Sequence, residues 1–360
     1  MQIDFKNTKL IIMDEYSMIG RKMLAYIDLR LRDIFGTKES FGNISIVLIG
    51  DMRQLPPVFD TPLYAEGGRE LQLTGNLSFS EFKQCVRLEQ VFRQSGVEES
   101  EYREALSRLS DGKSTVADWN LFATRSYATM SVEEKHTFRH ALRLFPSKDE
   151  AASYNEERLR ELGFPVAHIP SVNNCPTAEG ASSDDAKELQ NILLLSKQAR
   201  VMLRKNYSTQ FGLVNGSTGT VKDIIYKEGD ESPGNISIAV LVEFDKYIGP
   251  RAYEESTVVP IIPVTTNWIS SSGVPYQRFQ LPLILCWAIT VHKSQGLTLD
   301  QAVVNIGTTE RLGMTFLALS RTRRLRDLAF FPMFDYERLE RIDKCYEVKK
   351  KRAEEQQLQQ

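Results

Sequence analysis

The 360-residue sequence has little of several features that would narrow its function at once. Its formal net charge is only −2, so no general basic coat marks it, and any nucleic-acid binding is expected in a local groove. Its four cysteines, Cys85, Cys175, Cys286 and Cys345, form no CxxC pair. This spacing argues against a zinc site or a disulfide framework and favours reduced thiols in an intracellular protein.

Long apolar runs are also missing. No stretch approaches the roughly 18 residues that a membrane span needs, and residues 1–6 lack the apolar centre of a secretory signal peptide. Hydrophobic residues make up 42% and charged residues 26% of the chain, as in an ordinary soluble protein. The length is sufficient for two or three domains, each with its own core.

An apolar strand that ends in two carboxylates stands out against this background. Residues 10–13 are apolar without a break, and Asp14 and Glu15 follow them. Such a run predicts a parallel strand that is buried on both faces. Ligands of open α/β sheets lie beyond the carboxyl ends of the strands, where these two carboxylates would be.

A second strand is predicted at residues 44–49, followed by a polar turn at residues 50–57. Apolar residues recur between the strands at the spacing of a helix face: Ile19, Met23, Ile27, Leu31 and Ile34. Strand, helix and strand in this order predict a right-handed crossover that joins two parallel strands. The pattern suits nucleotide hydrolysis, with Asp14 for Mg²⁺ and Glu15 to polarise water; the alternative is an acidic strand end in a solvated loop.

These residues resemble a known family. Residues 14–19 resemble the Walker B motif of the petite-integration-frequency (Pif) DNA helicases, which are superfamily 1B motors related to the RecD-type helicases. Residues 50–58 resemble motif III of the same helicases and are the most specific of these signals. Residues 41–43 and 62–64 resemble the helicase region of Helitron-type transposons.

Three distal segments extend the resemblance, which covers residues 10–331. Residues 92–94 resemble motif IV, residues 280–299 resemble motif V, and residues 315–323 resemble motif VI. The fold class that this implies is α/β, with two RecA-like parallel-sheet motor domains, the first incomplete, and a small β-barrel insertion in the second. The expected ranges are 1–80 for the first motor domain, 81–218 and 276–335 for the second, 219–275 for the insertion, and 336–360 for a charged tail.

The resemblance also implies roles for single residues, with ATP and Mg²⁺ as cofactors. Asp14 would hold Mg²⁺, Glu15 would activate water, and Gln54 would sense the γ-phosphate. Arg93 and Arg321 would stabilise phosphate charge, Arg321 as an arginine finger, and Gly296 would also adjoin the nucleotide.

The expected DNA-binding residues are Pro56, Thr290, His292, Lys293, Ser294 and Gln295. Small donors and one cation suit the phosphate–sugar backbone of single-stranded DNA. For His292 alone, a structural role is the alternative to DNA contact.

Other segments carry simpler expectations. Residues 85–88 are predicted to form a strand, and residues 163–187 a long mobile loop. The tail after residue 336 is predicted to be a charged helix or a disordered end, with a solvated basic run at residues 349–352.

A phosphate-binding loop of the form G-x-x-x-x-G-K-[ST] is expected before Asp14, but the first thirteen residues contain no glycine. The Gly112-Lys113-Ser114 sequence does not supply the loop, because position 107 is Ser107 and a helix precedes it; a glycine helix stop is the simpler interpretation. The sequence therefore resembles a helicase without its first part, whether through truncation, gene modelling or transposon decay.

The implied function is that of an ATP-dependent 5′→3′ DNA helicase in repair or recombination. It would act as a monomer on single-stranded DNA and duplex junctions, in the nucleus or mitochondrion, without membrane contact and with protein partners unspecified. One alternative is an inactive remnant that serves as a nucleic-acid-binding or assembly module. Another is a RecD-like subunit of a nuclease complex, against which the sequence shows no nuclease carboxylate cluster.

Overall fold

The computed structural model describes residues 5–227, 229, 235–250, 257–270 and 272–357. The chain divides into two compact units. Unit 1 comprises Met1–Pro146 and Thr290–Gln360, and unit 2 comprises Ser147–Ile289. No helix within the described ranges combines the length and the apolar character needed to cross a bilayer.

Unit 1 begins with two parallel strands and two helices. Strand β1 (Leu10–Met13) pairs with β2 (Ser45–Leu48), with Leu10 opposite Ser45 and Met13 opposite Leu48. Helix α1 (Arg21–Phe35) connects the strands, and α2 (Leu71–Ser80) packs against it. The predicted strand–helix–strand crossover is therefore confirmed. The core of this region contains Leu24, Leu31, Phe41, Met52, Leu63, Tyr64 and Phe79.

The buried face of α1 differs from the predicted one. Met23 is 54% exposed, whereas Leu24, Ala25 and Asp28 are fully buried. Asp28 tolerates burial because its carboxylate accepts hydrogen bonds from the Arg32 guanidinium, the Phe41 backbone N–H and the Ser78 hydroxyl. A buried acidic residue interrupts the apolar spacing, so the face is rotated by about one residue from the predicted position.

The prediction that β1 and β2 are buried on both faces is wrong in the part of the chain that the structure describes. Ile11 and Ile46 pack against the core of unit 1. The alternate side chains point to the other face and are 41–59% exposed: Leu10, Ile12, Val47 and Ile49. The strands therefore follow the alternation of a sheet that is covered on one side.

The rest of unit 1 is built around three parallel strands. Strand β15 (Ala302–Val304) lies between β3 (Leu142–Phe145) and β16 (Leu328–Phe330). The helices of this part are α3 (Ser100–Ser110), α4 (Val116–Ala123), α5 (Val132–Thr137), α8 (Met314–Leu319), α9 (Tyr336–Lys344) and α10 (Tyr346–Gln357). All residues of β15 and β16 are buried, as a central parallel sheet requires.

The Gly112-Lys113-Ser114 segment is a helix stop, as predicted. It follows α3, whose Tyr102, Leu106 and Leu109 are buried on one face. Gly112 has a φ of +55° and lies directly after the helix end, which is a glycine conformation.

Unit 2 consists of α6 (Lys148–Glu161), the short helix α7 (Pro176–Glu179) and three antiparallel sheets. The largest sheet has the order β10-β9-β8-β7-β13, formed by Val258–Ile261, Ala239–Phe244, Thr218–Ile225, Arg200–Leu203 and Leu283–Leu285. A second sheet joins β11 (Val264–Ile269), β12 (Pro275–Gln280) and β5 (Val172–Asn173), and a third joins β4 (Ala167–Pro170) and β6 (Ile192–Leu195). The chain returns to unit 1 through β14 (Ala288–Thr290).

The predicted insertion at residues 219–275 is too narrow. Strands β7 and β13 lie outside that range and are hydrogen-bonded into the same sheet as β8. Residues 228, 230–234, 251–256 and 271 of the predicted range lie outside the described residues. The prediction of a long loop at residues 163–187 is also wrong, because β4, β5 and α7 lie within it.

Arg278 explains the order of that segment. Its side chain is fully buried, and its guanidinium donates to the backbone oxygens of Leu189 at 2.9 Å and Ala178 at 2.7 Å and to Asn173 Oδ1 at 2.9 Å. The same guanidinium lies 5.6 Å from the centre of the Trp268 ring. One buried cation therefore satisfies backbone carbonyls of this segment and of the residues that follow it.

Two further expectations are wrong. Residues 85–88 pair with no strand among the described residues, and Val86 and Leu88 are each 86% exposed. The basic run at residues 349–352 is not simply solvated, because Lys351 is 5% exposed. Its Nζ donates to the Gln54 backbone oxygen at 3.3 Å and lies 5.5 Å from the Tyr64 ring centre. The predicted tail is helical through Gln357; residues 358–360 lie outside the described part.

Candidate functional site

The carboxyl ends of β1 and β2 bring the two polar turns together. The ladder continues past both strands, because the Ile49 N–H donates to the Met13 oxygen at 2.8 Å and the Tyr16 N–H donates to the Ile49 oxygen at 3.0 Å. A Cβ on Gly50 would lie 2.8 Å from the Tyr16 nitrogen, so only glycine allows this approach. Asp14, Glu15 and Asp51 consequently leave the sheet at one edge, as the sequence predicts.

Glu15 has an unusual backbone. Its φ and ψ are 54° and 43°, in the left-handed region. This conformation costs a non-glycine residue about 1–2 kcal/mol. The Glu15 N–H donates to Asp14 Oδ1 at 2.8 Å, and Glu15 Oε2 accepts a hydrogen bond from Gln295 Nε2 at 2.9 Å. Backbone strain of this kind clusters at functional sites, so the geometry favours a functional role for Glu15.

The turn after β2 presents Gln54. Its backbone N–H donates to the Asp51 oxygen at 3.0 Å, and Asp51 Oδ1 accepts from Arg53 Nε at 2.8 Å. Leu55 is buried and anchors the turn. Gln54 Oε1 is buried, and no donor among the described residues reaches it. Such an orphaned acceptor is available to a ligand that can donate.

Pro56 is half-buried and lines a small cavity at the turns that follow β1 and β2. The other residues that line this cavity are Tyr16, Ser17, Ile19, Met52, Leu63 and Tyr64. DNA contact by Pro56 stays a prediction.

Two arginines from distant segments meet at Ser320. Arg93 Nη1 donates to the Ser320 backbone oxygen at 3.1 Å, and Arg93 Nε donates to Thr298 Oγ1 at 3.1 Å. Arg321 Nη2 donates to Ser320 Oγ at 2.9 Å. The motif IV and motif VI segments, more than 220 residues apart, thus present guanidinium groups at one position.

The pKa values of the two arginines are lower than usual. Burial, and then the positive charge of Arg93, lowers the pKa of Arg321 to about 10, while Glu15 and Asp51 act in the opposite direction. Burial lowers the pKa of Arg93 as well, followed by the charge of Arg323. Partly desolvated cations held close together favour a bound anion, which would relieve their repulsion.

Arg321 also supports the backbone. It is 2% exposed, and its Nε donates to the Leu317 oxygen at 2.9 Å. Its Nη1 is 3.3 Å from the Leu297 oxygen and 3.4 Å from the Ser294 oxygen. An arginine finger must reach the γ-phosphate, so that role would require part of this hydrogen bonding to be exchanged.

The last residue of β14 and the compact turn after it contain five of the residues predicted to contact DNA. Thr290 Oγ1 accepts from the Lys293 N–H at 3.2 Å, and Ser294 Oγ donates to the Val291 oxygen at 2.7 Å. Ser294 is fully buried and Thr290 is 6% exposed. These two hydroxyls stabilise the turn, so the prediction that they bind DNA is corrected. His292 and Lys293 are half-buried at the surface of the turn.

Gln295 has a partner that the sequence does not predict. The sequence predicts that Gln295 contacts DNA, and in the structure its Nε2 donates to the Glu15 carboxylate. Gly296 follows with a φ of +75° and is exposed. Among the described residues, no atom beyond its chain neighbours lies within 4 Å of the place where a Cβ would stand, so this part of the turn is open. The structure thus brings Asp14, Glu15 and Gln295 together.

Sequence reasoning missed several residues here. Thr298 and Ser320 bind Arg93, and the buried Gln94 donates to the Thr322 oxygen at 2.7 Å. Asp51 adds negative charge opposite Arg321. Gln94, Asp51 and Thr298 all lie inside segments that resemble helicase motifs, but the resemblance assigned them no role.

The donor set is suitable for Mg²⁺ with a nucleotide. Asp14 is exposed, and its one observed hydrogen bond uses Oδ1. Among the described residues, no group of three or more His, Cys, Asp or Glu side chains could form a metal cage. Mg²⁺ commonly takes one or two carboxylates together with water and phosphate oxygens, and Asp14 fits that pattern.

Comparisons with known proteins show which family the chain resembles. Residues 2–119 match the family model described as PIF1-like helicase. The chain is 31% identical over 339 residues to the ATP-dependent DNA helicase PIF1 of Homo sapiens, covering 91% of this chain and 47% of that protein. It is 24% identical over 383 residues to the ATP-dependent DNA helicase RRM3 of Saccharomyces cerevisiae, covering 88% of this chain and 50% of that protein. The chain spans about half the length of the curated relatives it matches.

Solved structures extend the similarity to the fold. The crystal structure of Pif1 helicase from Candida albicans has a TM-score of 0.71 and 23% identity, covering 94% of this chain and 76% of that one. A crystal structure of Bacteroides Pif1 bound to ssDNA has a TM-score of 0.63 and 22% identity, covering 94% and 74%. The fold is thus the mixed α/β fold of Pif1 helicase structures, and the chain belongs to the PIF1-like helicase family.

Proposed function

We propose that this chain is part of an ATP-dependent 5′→3′ DNA helicase in which Asp14, Glu15, Gln54, Arg93 and Arg321 form the nucleotide side. The observation that carries the proposal is the convergence of Arg93 and Arg321 on Ser320, with Glu15 and Asp51 acting electrostatically on Arg321. A site with two carboxylates, a metal-binding position and two cations suits phosphoryl transfer, in which catalysis is mainly positioning and charge stabilisation.

Each side chain has a task in this proposal. Asp14 would hold Mg²⁺, which neutralises phosphate charge when bound. Glu15 would orient the attacking water and accept its proton at the carboxylate. The buried Gln54 Oε1 would accept a hydrogen bond from the water beside the γ-phosphate. Gln54 Nε2 would donate to the γ-phosphate, and Gly296 would adjoin the nucleotide. Arg93 and Arg321 would stabilise the charge of the transferred group.

The proposal for DNA contact concerns fewer residues than the sequence alone predicts. His292 and Lys293 lie at the surface of the turn after β14, whereas Thr290 and Ser294 are buried. We propose that His292 and Lys293 contact the backbone of single-stranded DNA and that the protein acts as a monomer on strands and duplex junctions. Curated relatives are named as DNA helicases, and solved relatives are titled as bound to ssDNA or acting at forked dsDNA. The motor-domain ranges, without the strands β7 and β13 that join the sheet of the insertion, and a nuclear or mitochondrial location are proposals of the same kind.

A second candidate is a nucleic-acid-binding module without hydrolysis. The specific observation in its favour is that the 360 residues contain no G-x-x-x-x-G-K-[ST] sequence. Such a loop supplies the backbone N–H groups and the lysine that hold the β- and γ-phosphates. In this alternative the turn that contains His292 and Lys293 would bind DNA, and Glu15 and the arginines would have a structural role.

The chain by itself is expected to hydrolyse ATP slowly, because the lysine and N–H cradle for the β- and γ-phosphates are not among its residues. Steady-state ATPase measurements with saturating single-stranded DNA test this. We expect a turnover well below about one per second, the low end for ordinary enzymes. Glu15→Gln is the control, since it should not lower a background rate; a turnover near one per second that Glu15→Gln abolishes would contradict the expectation.

Lys293→Ala is expected to weaken single-stranded DNA binding about equally for unrelated sequences. Loss of one phosphate contact should also reduce the slope of log K against log salt by roughly 0.7. Fluorescence-anisotropy titrations with two unrelated oligonucleotides at several salt concentrations measure both effects. Lys113→Ala, at an exposed lysine of the same unit to which we assign no DNA contact, is the matched control. Unchanged affinity and slope in Lys293→Ala would move the proposed DNA path towards Arg323 and Arg324.

A further inference from the structure

We propose that Gln295 is a positioning residue that links the Glu15 carboxylate to the DNA-binding turn. The inference rests on the proposed function, because it gives a role to the hydrogen bond between Glu15 on the nucleotide side and Gln295 in the DNA-binding turn. It replaces the direct DNA contact predicted for Gln295 with a contact across 280 residues of sequence.

The direction of the Glu15 side chain depends on Gln295. The Glu15 backbone is held in the left-handed region, and its N–H is engaged by Asp14 Oδ1. Within the described part of the chain, the hydrogen bond from Gln295 Nε2 is the side-chain contact that the structure gives the Glu15 carboxylate. A hydrogen bond to an ionised acceptor is stronger than a neutral one, so this amide can set the orientation of the carboxylate.

Gln295 is in turn held by the backbone of its own turn. Its N–H donates to the His292 oxygen at 3.2 Å, and the Leu297 N–H donates to the Ser294 oxygen at 3.0 Å. Arg321 Nη1 lies within hydrogen-bonding distance of the Ser294 and Leu297 oxygens on either side of Gln295. A displacement of this turn therefore moves the Gln295 amide.

Lys293 lies two residues before Gln295 in the same turn. A DNA phosphate that binds Lys293 would therefore act on the turn whose Gln295 holds the Glu15 carboxylate. Gln295 Oε1 supplies a second observation. It is buried, and no donor among the described residues reaches it. The amide can thus hold Glu15 through Nε2 while Oε1 accepts a hydrogen bond from a water beside the nucleotide. Gln295 would then connect the DNA-binding turn, the general base and that water.

A double-mutant cycle on the chain itself tests the link without requiring hydrolysis. Glu15→Ala removes the acceptor, and Gln295→Met removes the amide while preserving the length of the side chain. Hydrogen exchange of the peptides that cover residues 288–299 is followed by mass spectrometry. We expect Glu15→Ala to accelerate exchange there by roughly three- to tenfold, the effect of losing one hydrogen bond. In the Gln295→Met background, Glu15→Ala should add nothing.

Two variants separate positioning from general damage. Glu15→Gln retains an oxygen that Gln295 can bind, so exchange should stay close to that of the unchanged chain. Gln301→Ala, at another half-buried glutamine of unit 1, should combine additively with Glu15→Ala. If Gln295→Met does not fold, as judged by circular dichroism, Gln295→Glu replaces it. Repulsion between Glu15 and the new carboxylate should release the turn, and Glu15→Ala should then slow exchange in that background.

Anisotropy titrations with single-stranded DNA complete the test. We expect Glu15→Ala to change the Kd by at least about threefold in the unchanged chain and not in the Gln295→Met background, as coupled sites require. Additive exchange rates in the cycle would overturn the inference. If no variant binds DNA, the proposed DNA function fails, while the exchange cycle still decides whether Gln295 links Glu15 to the turn.

Discussion

Arg321→Ala is expected to lower the free energy of unfolding by about 2–4 kcal/mol. The guanidinium donates to the Leu317 oxygen and lies within bonding distance of the Ser294 and Leu297 oxygens. The Ser294 oxygen keeps the Leu297 N–H as a donor, and the Leu317 oxygen keeps the Ser320 hydroxyl. The cost therefore comes from the Leu297 oxygen, about 1–3 kcal/mol for a carbonyl left without a donor, and from the lost packing of the buried side chain. Removal of a buried cation returns some of its desolvation energy, which keeps the total within the expected range. Urea unfolding followed by far-UV circular dichroism measures the change.

Arg323→Ala is the matched control for this prediction. Arg323 is exposed, and its nearest carboxylate oxygen, Asp300 Oδ1, is 3.5 Å away. Loss of such a surface pair should change stability by less than about 1 kcal/mol. Equal destabilisation by the two substitutions would show that the backbone hydrogen bonds of Arg321 do not stabilise the fold. Arg321 could then reach the γ-phosphate without a loss of stability.

The part of the site that follows β1 and β2 was predictable because it depends on local sequence patterns. Residues 10–13 and 46–49 are uninterrupted apolar runs separated by a helical spacing, and the handedness of the crossover is nearly fixed. The parallel pairing of β1 with β2 follows from these rules, whereas the register, with Leu10 opposite Ser45, comes from the structure. The position of Asp14, Glu15 and Asp51 at one sheet edge then needs no further information.

The part of the site formed by residues 290–295 was not predictable in the same way. Motif similarity identified residues 290–295 as polar groups after an apolar run, but it could not say which ones face outward. In a tight turn, Thr290 and Ser294 satisfy the backbone of neighbouring residues, and Gln295 faces Glu15. This assignment depends on the turn geometry and on a partner 280 residues away, neither of which residue spacing encodes.

Buried cations account for other failures of prediction. Residues 163–187 are rich in polar residues and proline, and their order depends on Arg278, about a hundred residues later. Lys351 belongs to a run of charges, but its stem is buried and its ammonium binds the Gln54 oxygen. A lysine or arginine that buries its apolar stem resembles a solvated one in sequence, so tertiary packing decides between the two.

Glu15→Gln is expected to reduce ATP hydrolysis by roughly two to four orders of magnitude, the range for acid–base groups, in a protein that also carries a phosphate-binding loop. A chimera that joins this chain to the preceding segment of a curated PIF1 helicase provides that context. The substitution removes the carboxylate that accepts a proton from water. It leaves an amide oxygen for the Gln295 Nε2 hydrogen bond, so the turn and nucleotide binding should be preserved.

Steady-state ATPase assays and titrations with a fluorescent ATP analogue distinguish the two effects. Glu39→Gln, at an exposed carboxylate of the same unit, is the matched control and should retain full activity. A Glu15→Gln chimera that hydrolyses ATP within about threefold of the unchanged chimera would exclude Glu15 as the base, since a general base contributes far more. Loss of nucleotide binding along with hydrolysis would instead assign Glu15 to holding the nucleotide, and Asp51, the other carboxylate that acts on Arg321, would become the candidate base.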